Sequence, residues 1–101
     1  MEEIIMNLIM NSGDARSYAM EAIQAAKEND FNKSDELMSQ SKKQLDNAHN
    51  SQTQLIQGEI NGKKIDISLL LVHAQDHLMT TITLNTLASE IIDLHKKVSN
   101  K

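Results

Sequence analysis

His73, Gln75, Asp76 and His77 stand inside the apolar run from Leu69 to Thr80. On a helix, residues three and four apart are surface neighbours, so His73 meets both Asp76 and His77. Polar groups set into an apolar segment carry a free-energy cost unless they find partners. Three readings fit the cluster. The first is a polar patch that fixes register between packed helices and does no chemistry. The second is a zinc site, because histidines at i and i+4 can share a zinc ion with an acid nearby. His-x-x-Asp-His resembles the inverzincin pattern His-x-x-Glu-His, with the shorter Asp in place of Glu. No third ligand follows at close range, since Glu90 and His95 lie several turns further along. The third is a phosphohistidine. A neutral imidazole is a competent nucleophile near neutral pH, and phosphoryl transfer asks mainly for positioning and charge stabilisation. Gln75 and His77 are available as hydrogen-bond donors. The chain has no Walker loop, so a phosphoryl donor would be another phosphoprotein and not ATP.

Spacing leaves His73 and His77 as alternatives for the phosphorylated residue. The other two histidines are weaker candidates. His49 has no acid or second histidine at ligand spacing, and His95 sits with Lys96 and Lys97 near a helix end, where positive charge is favoured.

The elements that must hold the cluster are helices. The 101 residues include no Pro, only three Gly, one Phe, one Tyr and no Trp, a composition that favours long helices over strands. The length suits one domain, residues 1–101, with a modest core. A net charge of −4 and the scarcity of aromatics argue against nucleic acid as a partner. The absence of Cys removes disulfides and thiol chemistry, and fits a reducing compartment. The acidic start Met1-Glu2-Glu3 is unlike a signal peptide, and no apolar run is long enough to span a bilayer. The expectation is a cytoplasmic protein without membrane insertion.

Apolar positions recur at steps of three and four from Ile4 to Ala26, interrupted by Gly13, which allows another helix to come close. Glu28-Asn29-Asp30 reads as a helix end. A second helix, from about Phe31 to Ile60, is thin on apolar residues, with Ser41 and Gln52 on its apolar stripe. Asn61-Gly62-Lys63-Lys64 is a loop, with Asp66 or Ser68 as the next N-cap. The third helix, about 67 to 98, carries three apolar stripes. One holds Leu70, His73, His77, Leu84 and Ile91; another Leu71, Ala74, Leu78, Ala88 and Ile92; the last Leu69, Val72, Asp76 and Met79. A helix apolar nearly all round needs more neighbours than a three-helix chain provides. The expected fold is all-α, an antiparallel three-helix bundle that self-associates through its third helix.

The stretch Leu70-Leu71-Val72-His73-Ala74-Gln75-Asp76-His77-Leu78-Met79-Thr80 resembles the signature of the lactose/cellobiose-type enzyme IIA components of the bacterial phosphoenolpyruvate-dependent sugar phosphotransferase system. Ala25-Ala26-Lys27, Asp30-Phe31, Ala48-His49, Gln52-Thr53, Leu55-Ile56, Leu87-Ala88 and Glu90-Ile91-Ile92 extend the likeness over nearly the whole chain. Ser34 and Ser41 depart from it, where relatives tend to have Ala. The resemblance implies a phosphocarrier that accepts a phosphoryl group from the histidine-phosphorylated carrier HPr. It would pass the group to a cysteine of the cognate enzyme IIB, for uptake of a lactose-, cellobiose- or chitobiose-type sugar. It implies His73 as the phosphorylated residue, on Nε2, with Gln75 and His77 in support. It further implies a homotrimer in which Asp76 and its two symmetry mates surround a divalent cation. Oxygen ligands favour Mg²⁺ over zinc. The competing reading is a structural or adaptor bundle without chemistry.

Overall fold

The computed structural model describes residues 2–100 and contains three helices, α1 (Glu2–Lys27), α2 (Phe31–Ile60) and α3 (Leu69–Ser99). The two connections are written in the local sequence. Asn29 ends α1 in the left-handed conformation (φ 61°), where Asn is tolerated far better than most residues, and the amides of Asn29 and Asp30 close back on the carbonyls of Ala26 and Ala25. Asp30 then caps α2, its Oδ1 accepting from the Lys33 amide at 3.2 Å. Gly62, with φ 90°, ends α2, and the Lys63 amide bonds back to the Gly58 carbonyl. Of the two expected caps of α3 it is Ser68 that serves, its Oγ accepting from Leu71 N at 3.1 Å.

Register follows from the side-chain bonds between helices. Ser34 and Ser41 of α2 donate to the carbonyls of Ala22 and Ala15, so α1 and α2 run antiparallel. Ser41 also accepts from Asn85, and Gln52 meets Gln75, so α2 and α3 run antiparallel as well. The expected antiparallel three-helix bundle is what forms, about 56 Å long and 19 Å across. One core cluster gathers Ile5, Leu8, Ala48, Leu55, Leu71, Ala74 and Leu78; a second gathers Ala22, Ala26 and Ile92. Small residues such as Ala15, Ala19, Ser41 and Ala88 are fully buried, which lets the helix axes approach.

The two serines are more than local packing differences. Each buried hydroxyl donates a hydrogen bond to α1, at 2.8 Å for Ser34 and 2.7 Å for Ser41. They differ in what their loss would strand. The carbonyls that accept from them belong to helix interiors and keep their own backbone bonds, but the Asn85 amide depends on Ser41 Oγ at 2.8 Å. Ser41→Ala should therefore destabilise the fold by about 1–3 kcal/mol, and Ser34→Ala by less. Urea midpoints of the two variants measure the difference, and equal midpoints would contradict this account.

Of the three stripes on α3, only Leu71, Ala74, Leu78, Ala88 and Ile92 enters the core of the chain. The opposite side is open, with Leu69 85%, Val72 52%, Met79 52% and Leu94 62% exposed. No helix among the described residues is long and apolar enough to cross a membrane.

Candidate functional site

His73 lies on the open side of α3, one turn inside a helix start fixed by the Ser68 cap. Leu69 and Leu70 line the same open depression. The i, i+4 spacing brings the two imidazoles together as expected. The rings of His73 and His77 are stacked, with centroids 6.1 Å apart and planes 11° from parallel. His77 is half-buried because it leans toward α1. A Cβ built on Gly13 would stand 3.6 Å from His77 Nε2. The break that Gly13 makes in the first apolar pattern is thus the place where α1 meets the site.

Burial lowers the His77 pKa below the ordinary histidine value of 6.5. The positive charges of Arg16 and His73 lower it further, and the Asp76 carboxylate partly opposes them. At neutral pH His77 is therefore an uncharged ring with one N–H to donate. A histidine with a depressed pKa binds fewer protons folded than unfolded. Its contribution to stability is full above 6.5 and is lost as the pH falls below it. Acidification from about pH 7.5 to about 5.5 should lower the urea midpoint, and His77→Gln should remove part of that loss. A midpoint with the same acid slope in both proteins would contradict it.

Asp76 is exposed on the apolar outer face of α3, between Val72 and Met79. It belongs to neither ion pair found among the described residues, Lys42–Asp46 and Lys96–Asp35. Among those residues no group of three or more His, Asp or Glu side chains gathers within one chain. One carboxylate does not make a cation site, so a metal at Asp76 requires ligands from other chains.

Gln75 is not beside His73 within the chain. Two residues turn an α-helix by about 200°, which puts the two side chains on opposite sides of α3. Gln75 faces α2, where its Oε1 accepts from Gln52 Nε2 at 2.7 Å. Gln52 is visible in the sequence as a polar break in the α2 stripe, and the signal that it pairs with Gln75 is that both are polar at seam positions. His49 is exposed on α2, and His95 lies beside Lys96, far from the cluster.

Two stacked imidazoles, one exposed and one half-buried, are suited to holding a group covalently for a short time. Residues 3–96 match the family described as PTS system, lactose/cellobiose specific IIA subunit. The chain belongs to that family. As a IIA subunit it is a phosphotransferase component. It is similar to the N,N'-diacetylchitobiose-specific EIIA component of Escherichia coli K12, 48% identical over 98 residues that cover 97% of this chain and 84% of the relative. It superposes on the crystal structure of the cellobiose-specific enzyme IIA of Bacillus anthracis with a TM-score of 0.96 and 53% identity, over 99% of this chain and 92% of that one. It also superposes on the IIA(chitobiose) structure solved in solution as a complex with HPr from Escherichia coli, with a TM-score of 0.84 and 47% identity, over 97% and 95% of the two chains.

Proposed function

We propose that the chain is a cytoplasmic phosphocarrier of the cellobiose/chitobiose type, charged on His73 by phospho-HPr and discharged to a cysteine of its enzyme IIB. The observation that carries this reading is the exposed His73 ring stacked on a neutral His77 in a chain of this family. In the charging step the Nε2 lone pair of His73 attacks phosphorus. The donor's N–P bond breaks with its electron pair returning to the donor nitrogen. A proton leaves His73 Nδ1, and the departing donor imidazole takes one up, so charge balances. His77 donates its N–H to the phosphoryl oxygens.

The carrier works as a homotrimer. Supporting this is the row of exposed apolar side chains on α3, Leu69, Val72, Met79, Leu87, Leu94 and Val98, a surface of the kind that marks an interface. Asp76 lies within that row. Brought to a threefold axis, three carboxylates need a compensating cation or shared protons; we favour a cation, and hard oxygen ligands suit Mg²⁺. Its role is to hold the charge of the Asp76 ring; transfer runs through histidine.

Assembly also gives Gln75 a task. Viewed down α3, His73 lies about 60° to one side of Asp76 and Gln75 about 100° to the other. In a cyclic trimer the interface is heterologous, so one flank of each chain meets the opposite flank of the next. The Gln75 amide, its oxygen already held by Gln52, then faces the His73 of a neighbouring subunit with its N–H groups free to donate.

Incubation with phosphoenolpyruvate, enzyme I and HPr tests the whole reading. Intact mass should rise by one phosphoryl group per chain, and the label should be acid-labile. An unlabelled chain, or an acid-stable phosphate, would favour a structural bundle.

A further inference from the structure

The phosphoryl site has an unmet need for positive charge. A phosphoryl group brings close to two negative charges. From Leu69 to Leu84, α3 has no Lys or Arg. The helix packed against this part of the site is α1, whose backbone reaches His77 at Gly13. Gly13 sits in a helix interior with no positive φ to require it, where Gly is about 1 kcal/mol less favourable than Ala. Between Glu2 and Met20, α1 carries one basic residue, Arg16.

Arg16 lies three residues past Gly13, so the two share a side of α1. Its helix neighbours at three and four residues are Ser12, Gly13, Ala19 and Met20, none of them an acid. It takes part in neither ion pair found among the described residues, and it is exposed. It stands one helical turn beyond Gly13, where α1 meets His77. A guanidinium is the side chain best matched to phosphoryl oxygens, since its planar fork donates two parallel hydrogen bonds.

Building on the phosphocarrier reading, we propose that Arg16 is a further residue of the phosphoryl site, its guanidinium closing over the His77 side of the histidine pair to hold the phosphoryl oxygens during transfer to and from His73. Arg16 forms no covalent bond and moves no proton. The donor N–P bond breaks and the His73 Nε2–P bond forms as before, while Arg16 stabilises charge on the transferring oxygens. A donor that engages the oxygens as charge moves during transfer contributes most in the transition state, so the maximal rate should suffer more than donor binding.

Rapid-quench transfer from purified phospho-HPr, over a range of donor concentrations, separates these effects. Arg16→Gln should lower the maximal rate by about 10–100-fold, and Arg16→Lys should recover part of it, because the charge remains and the fork is lost. The ³¹P resonance of the phosphohistidine should shift in Arg16→Gln. Circular dichroism and sedimentation should match the parent, as expected for an exposed residue. A maximal rate equal to the parent's in Arg16→Gln overturns the proposal, whether or not more donor is needed to reach it. Full recovery is not required of Arg16→Lys, but a rate no better than that of Arg16→Gln also overturns it. Failure of the parent to be labelled is a different result, and refutes the phosphocarrier reading itself.

Discussion

His73→Gln abolishes phosphoryl incorporation and leaves the fold intact. Loss is expected to be complete because no other side chain at the site combines an open position with a nucleophilic nitrogen. His77 leans against α1 at Gly13 and is half-buried, whereas His73 is exposed on α3. Gln keeps a polar side chain but has no lone-pair nitrogen able to form the N–P bond. The cost in stability should stay within about 0.5 kcal/mol, as for other exposed positions away from a packed core. His77→Gln should behave differently. It retains the nucleophile and loses a neutral donor, so it should still be labelled, with slower charging or a shorter-lived product. Intact mass after incubation with phosphoenolpyruvate, enzyme I and HPr distinguishes the two variants. If the phenotypes are exchanged, the roles are exchanged; if both label like the parent, the phosphoryl group does not reside on this pair.

Val72→Glu should convert the proposed trimer to monomers, whereas Asp76→Leu should keep it assembled. The two positions are neighbours on the outer face of α3 and respond oppositely for one reason, desolvation. Val72 is half-exposed in the single chain, so burial of its side chain would come from the interface. A glutamate there must leave water without a partner in all three chains at once, a cost of several kcal/mol per chain. In the proposed trimer the Asp76 carboxylate already carries that cost, which the proposed cation would offset. Leucine removes both the charge and the need for the metal, an exchange that is commonly neutral or stabilising. Sedimentation should return three times the 11.3 kDa chain mass for the parent and for Asp76→Leu, and the single-chain mass for Val72→Glu. Metal analysis should find a divalent cation in the parent and none in Asp76→Leu. A monomeric Asp76→Leu would mean that the cation bridge is essential to assembly, and a trimeric Val72→Glu would place the interface elsewhere.

Features that depend on near neighbours along the chain are legible in the sequence. Helix ends fall at Asn29 and Gly62 because those residues tolerate positive φ, and helix starts at Asp30 and Ser68 because their side chains accept from the amides of the next turn. The His73–His77 pair is a consequence of helical spacing, and the structure stacks the rings accordingly. The family is legible too, because the residues around His73 form a specific contiguous motif. What periodicity leaves undecided is which of three apolar stripes on α3 enters the core. A local pattern states that a face is apolar and does not state what covers it. That choice comes from α1 and α2, whose Ile5, Leu8, Ala48 and Leu55 gather Leu71, Ala74 and Leu78 into one core and leave Val72 and Met79 outside. The serines of α2 look like gaps in an apolar stripe, and only the approach of α1 carbonyls turns them into links between helices. Gln75 is near His73 in sequence and is turned away from it in space, while Gly13, about sixty residues distant, abuts His77. Sequence by itself determined the helices, their ends and the spacing of the histidines, because those are set by backbone dihedrals and hydrogen bonds within a few residues. The tertiary structure decided which face is buried and which side chains meet across helices, because those depend on the close approach of segments far apart along the chain.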